Sequence, residues 1–223
     1  MPGPTVYCSL ADVLALVSLD AQARMATDAE RPVSLGVSPF GGQQLWETPF
    51  YDATEILAYV NRVQDMGATL VYGGGPNGTD RINLSAPAPA GAVVTAAGDL
   101  KSVNTAVVQQ CIVLAAGKIK GSLARYGTEN LPADVVAVLQ PLNVFYTRWF
   151  LRMRRSMNEW DPIIEEFKSN ERTLLNFATG KMALPASAPI ATAAPPSPVP
   201  IHSEPNVFGP PYTNTPDNDR NLF

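Results

Sequence analysis

The stretch NTAVVQQCIVLAAGKIKGSLARY, residues 104–126, decides how the rest of the chain is read. Val107, Val108, Cys111, Leu114, Ala115, Ile119 and Leu123 recur at helical spacing and build one wide apolar face. A second amphipathic run extends from Ala133 to Arg155, with Val135, Leu139, Leu142, Tyr146, Trp149 and Phe150, and Pro141 is expected to kink it. A third begins at Asp161, an N-cap with Pro162 in the first helical position, and stops before Gly180. Three such helices in series predict an antiparallel bundle spanning residues 105–184.

On the N-terminal side, Ser9 and Asp12 stand at capping-box spacing and open a short helix with Leu10, Val13, Leu14 and Val17 on one face. A second short helix is expected over 19–27, so residues 1–34 read as part of the bundle. Residues 35–104 read as an insertion. Asp52–Met66, with Ile56, Leu57, Val60 and Val63, predicts a helix that ends at Gly67. After it, 68–72 and 81–84 form a β-hairpin around Gly73-Gly74-Gly75-Pro76-Asn77-Gly78, and 92–95 is a candidate third strand. The expected fold class is therefore mainly α: an antiparallel helical bundle with a small β-hairpin insertion and an extended arm.

That arm starts at Pro185. Ten of the chain's 21 prolines lie in 185–223, and a chain that lacks so many N–H donors forms neither helix nor central strand. In polyproline geometry it reaches on the order of 120 Å. It is either a solvated tail or an arm that docks on a neighbour, and Val207, Phe208, Tyr212, Leu222 and Phe223 are the side chains that docking would bury.

Only 16 % of the 223 residues are charged and the net charge is −4, so the basic excess of a general DNA binder is missing. His202 is the single histidine and lies in the proline-rich stretch, which excludes most triads and His-based metal sites. Cys8 and Cys111 form no C-x-x-C and suit reduced thiols in a protein made in the cytoplasm. No apolar run approaches membrane-spanning length, and the N-terminus lacks a secretory pattern.

Two motifs admit more than one reading. The glycine run at 73–78 matches G-x-G-x-x-G literally, yet a dinucleotide site requires a helix directly after the glycines, and a β-type run stands there instead. A hairpin turn is the better reading. Arg148, Arg152, Arg154 and Arg155 crowd the end of the second long helix, either as solvated cations on its last turn or as a contact for an acidic partner subunit or phosphate. Glu159, Asp161, Glu165, Glu166 and Glu171 make an acidic patch beside them, and the two patches can pair within the chain or between identical subunits. No nucleophile, base and orienter converge in the sequence, and neither a cofactor nor a metal is expected.

Tyr7-Cys8-Ser9-Leu10-Ala11-Asp12-Val13, the Arg125-Tyr126 end of the first long helix, and Leu174–Lys181 leading to Leu184-Pro185 occur in an order that resembles the head-tail adaptor (connector) proteins of tailed phages, the Mu-like branch. The resemblance covers residues 5–34 and 103–185; the 35–104 insertion and the arm depart from it. It implies a non-enzymatic virion subunit of the neck that forms a ring, often a dodecamer. Its partners would be the portal protein, tail or neck proteins and, through the lumen, DNA without sequence-specific contact, with no membrane. The insertion would then contact a neighbouring ring. The alternative is an adaptor that binds an acidic partner or nucleic acid through Arg148–Arg155.

Overall fold

Ser9 is the first residue whose local chemistry can be followed into three dimensions. In the computed structural model, which describes residues 6–123, 126, 131–155 and 161–185, its hydroxyl accepts from the Asp12 N–H while the Asp12 carboxylate accepts from the Ser9 N–H at 2.7 Å. This reciprocal cap starts α1 (Leu10–Leu19), which buries Val13, Leu14 and Val17. Asp20 ends α1 and caps α2 (Ala21–Met25) by accepting from the Gln22 and Ala23 N–H groups, both at 3.1 Å.

The three long helices form where the spacing placed them: α3 (Thr105–Ser122), α4 (Ala133–Met153) and α5 (Pro162–Thr179). Asp161 caps α5 through the Ile163 N–H, and Gly180 closes it at φ 74°, a left-handed geometry that glycine adopts without strain. α4 continues through Pro141. A Cβ built at Gly117 or Gly121 of α3 would meet nothing within 4 Å, so no close neighbour requires glycine there.

Between α2 and α3 the chain corrects the expectation of a mainly α bundle. It forms three antiparallel sheets, of four, three and two strands, so the fold is mixed α and β. The strands are β1 (Val33–Val37), β2 (Gln43–Glu47), β3 (Phe50–Tyr51), β4 (Ile56–Val60), β5 (Val63–Gln64), β6 (Thr69–Val71), β7 (Arg81–Ala88), β8 (Val93–Gly98) and β9 (Val103–Asn104). One sheet has the order β1-β8-β4-β5, another β2-β7-β6, and β3 pairs with β9 at the base of α3.

The helix expected over Asp52–Met66 does not form; β4 and β5 occupy that stretch. Apolar residues at 56, 57, 60 and 63 fit a helical face, but Ile56 and Ala58 point inward while Leu57 stays exposed, the period-two alternation of a strand. Asn61 and Arg62, at φ 50° and 69°, turn the chain in two residues and pair Val60 with Val63. The hairpin expected around the glycine run is present as β6 and β7. The third strand, β8, pairs instead with β1 and β4.

Three apolar clusters result. Tyr7, Ile119, Leu123, Leu139, Tyr146, Leu174, Phe177 and Leu184 bind α3, α4 and α5 together. Val13, Val17, Val108, Ile112 and Leu151 join α1 and α2 to α3 and α4. The insert has its own core around Trp46, Phe50, Ile56, Ile82, Leu84 and Val94. Each large side chain buried this fully contributes about 1.5–3 kcal/mol.

Arg62 holds a left-handed backbone conformation that costs a side-chain-bearing residue about 1 kcal/mol. Arg62→Gly should therefore raise the stability of the folded chain by about 0.5–1 kcal/mol, read as a higher urea midpoint at unchanged slope; an unchanged or lower midpoint would contradict the two-residue turn.

Candidate interaction site

Residues 148 and 152 lie one turn apart on α4, so their guanidinium groups leave the same face. Both reach Asp20. Arg152 donates to its two oxygens, from Nε at 3.1 Å and from NH2 at 3.0 Å, and Arg148 adds a contact at 3.3 Å. The remaining nitrogen of Arg152 donates to both oxygens of Asp161, at 2.5 and 2.6 Å. Arg152 thus lies between two carboxylates that cap two different helices.

Just beyond α4, Arg154 donates to the Ala26 carbonyl at 3.0 Å and to Asp28 at 2.8 Å. Arg155 donates to Asp28 at 2.9 Å and to Glu30 at 2.7 Å. All four predicted arginines therefore have carboxylate partners in their own chain. Among the predicted acidic residues, Asp161 is in this clamp, Glu166 lies 4.0 Å from Arg148, and Glu165 pairs with Lys168 on the same helix. Glu171 belongs elsewhere: it accepts from the Tyr146 hydroxyl at 2.7 Å and meets Lys118 at 2.9 Å, a node that ties α5 to α3 and α4. Burial and that carboxylate both push the Tyr146 phenol upward. Glu159, Val207, Phe208, Tyr212, Leu222 and Phe223 lie outside the described residues.

Asp20, Asp28 and Glu30 carry most of the clamp, and the sequence does not single them out as site residues. Only Asp20 leaves a local sign, as a capping residue between two short helices. Burial works against ionisation of Asp20, but the Ala23 N–H and the Arg152 guanidinium outweigh it and hold the carboxyl below its ordinary value. Asp28 behaves alike: burial opposes, and Arg154 and Arg155 prevail. The side chains of Asp20, Asp161 and Arg152 are 8 %, 5 % and 15 % exposed, so little surface of the clamp is left for a phosphate or acidic partner.

The glycine run is a turn wrapped on a carboxylate. The Gly73 N–H donates to Asp80 at 2.9 Å, the Gly75 N–H donates to the Thr79 carbonyl at 2.8 Å, and a Cβ on Gly75 would stand 2.4 Å from the Thr79 hydroxyl. β7 comes after the turn, so the helix N-terminus that a pyrophosphate needs does not stand behind the glycines. Among the described residues there is no group of three or more His, Cys, Asp or Glu able to hold a metal ion, and no helix is long and apolar enough to cross a membrane. No family model, curated protein or solved structure matches the chain.

Arg152→Ala leaves two nearly buried carboxylates without their main cation and should cost about 3 kcal/mol in urea unfolding. The pH dependence is set by Asp20 and Asp28, the carboxyls held below their ordinary value. Their contribution is full above the ordinary carboxylate range and is lost as pH falls through the folded-state values. The urea midpoint of the wild-type chain should drop as pH is lowered from about 5 toward 2, with a shallower drop in Arg152→Ala; parallel curves would contradict the clamp.

Proposed function

We propose that the chain is a non-enzymatic ring subunit of a phage virion, joining the portal of the capsid to the tail as a head-tail adaptor. The observation that supports this reading is that the motifs carrying the resemblance, far apart in sequence, pack as one unit. Tyr7 of the opening motif and Leu184 of the closing one share a core with Ile119 of α3, Leu123 just beyond its end and Phe177 of α5. The 35–104 insertion leaves from the α2 side of this frame and returns at the start of α3, so it elaborates the frame without interrupting it.

In this reading the frame forms the ring with other copies, and one face meets the portal while the other meets tail or neck proteins. DNA crosses the lumen without sequence-specific contact. The insertion contacts a neighbouring ring, for which it offers exposed apolar side chains such as Phe40, 93 % exposed, and Met66, 85 % exposed. The alternative, an acidic or nucleic-acid partner held by Arg148–Arg155, loses support because those arginines already have in-chain carboxylates.

Blocking synthesis of the chain during infection should yield DNA-filled or leaking heads alongside separate tails in micrographs of the lysate. Normally joined particles would overturn the assignment.

A further inference from the structure

The loop between β1 and β2, residues 38–42, is tied down at both of its ends. The Ser38 N–H donates to the Ala92 carbonyl at 2.9 Å, the Gly91 N–H donates to the Ser38 carbonyl at 2.7 Å, and the Gly42 N–H donates to the Ala88 carbonyl at 3.1 Å. Ser38 is fully buried, and its hydroxyl donates to the Ala88 carbonyl at 3.4 Å. The loop is thus clasped to the end of β7 and to the connection that leads into β8. Gly41, at φ 74°, lies so close to that connection that a Cβ there would stand 3.0 Å from the Ala90 nitrogen. Between these anchored residues stands Phe40, 93 % exposed.

A ring held out in water by a hydrogen-bonded loop has already lost much of the backbone freedom that binding would otherwise cost. Aromatic side chains are enriched at the centres of protein interfaces, where a few of them carry most of the affinity. The surroundings of Phe40 are uncharged: residues 32–46 and 82–98 contain no Asp, Glu, Lys or Arg. Val37 and Val93 pair in the ladder at this end and are 54 % and 42 % exposed. Asn61 donates its N–H to the Val93 carbonyl and accepts from the Val93 N–H at Oδ1, both at 2.9 Å. The β4–β5 turn therefore lies here too, with Arg62 and the exposed Val63. This end of the insert is a knob: one phenyl ring, three exposed valines and one cation.

A knob of this kind fits a concave, apolar partner, and charge separates the candidates. An anionic bilayer is recognised by several Lys or Arg beside the apolar residues, whereas Arg62 stands alone here on a chain of net charge −4. A second copy would have to offer the pocket. The cavities lined by Asp20, Arg148 and Arg152, by Glu47 and Arg81, and by Asp12, Arg148 and Glu166 all set charged groups where a phenyl ring would go. A different protein with an uncharged pocket matches the knob in both shape and charge.

We propose that Phe40 is the anchor by which this chain plugs into an uncharged apolar pocket of a different protein, the one that forms the neighbouring ring. This inference rests on the ring reading.

The test is an infection in which synthesis of the chain is blocked and the full-length chain is supplied separately. Wild-type chain should restore joined particles. Phe40→Ala should lower their number about tenfold, and Phe40→Leu, which keeps apolar volume, should recover most of it. Because Phe40 is in water in the free chain, purified Phe40→Ala should keep the wild-type urea midpoint. Photo-reactive benzoylphenylalanine in place of Phe40, irradiated in purified particles, should form adducts with one peptide of one protein other than this chain. Undiminished joining by Phe40→Ala, a lowered midpoint, adducts to another copy of this chain, adducts scattered over many proteins, or no adducts would each overturn the proposal. So would co-sedimentation of the purified chain with phosphatidylglycerol vesicles that Phe40→Ala abolishes. Particles that join with no copy of the chain supplied overturn the ring reading as well, whereas wild-type rescue without a Phe40 effect overturns this inference alone.

Discussion

Arg152 is the residue on which the helical frame turns. One guanidinium faces Asp20, which ends α1 and begins α2, and Asp161, which begins α5, so the α1–α2 junction, 132 residues away, and the start of α5 are both fixed to the end of α4 by one side chain. Holding such charges out of water is expensive unless geometry is good, and here the donors of Arg152 are distributed over both carboxylates. The cost of removing one member is what makes the clamp specific. Arg154 and Arg155 extend it to Asp28 and Glu30, which lead into β1 and hence set where the insert departs.

With the clustered cations used internally, the ring proposal leaves assembly to surfaces other than the arginine cluster. The insert exposes several large apolar side chains, among them Phe40, Met66 and Tyr72, interspersed with polar and charged ones. Part of the insert's polar bonding is buried. Asp80, nearly buried, accepts from the Ala53 and Gly73 N–H groups and so joins the loop after β3 to the glycine turn. Thr48 adds a bond to the Asp80 carbonyl at 2.6 Å. These bonds give the small insert a fixed shape from which its loops project.

The helices were legible because their signals are local: Ser9 with Asp12, Asp161 before Pro162, and Gly180 each specify an end within a few residues. The glycine turn was legible for the same reason, since the β-type run directly after it excludes a phosphate cradle. The sheets were not. β8 joins β1 and β4 through pairings up to 63 residues apart, as between Val33 and Ala96, and short strands with apolar residues at 56, 57, 60 and 63 imitate a helical face. The clamp was half legible. Its arginines stand together in sequence, but Asp20 and Asp28 lie 126 to 132 residues away from them, and nothing in the local pattern of either names the partner.

Under the ring proposal, this chain assembles with itself into a closed ring through contacts that do not rely on its arginine cluster. A low-resolution image of the purified full-length protein, recorded in dilute buffer and again in molar salt, tests it most directly. Closed rings of uniform copy number in both conditions are the predicted result, because surface ion pairs weaken with salt while apolar contacts persist. Monomers, open filaments, or rings that disperse in molar salt would contradict it.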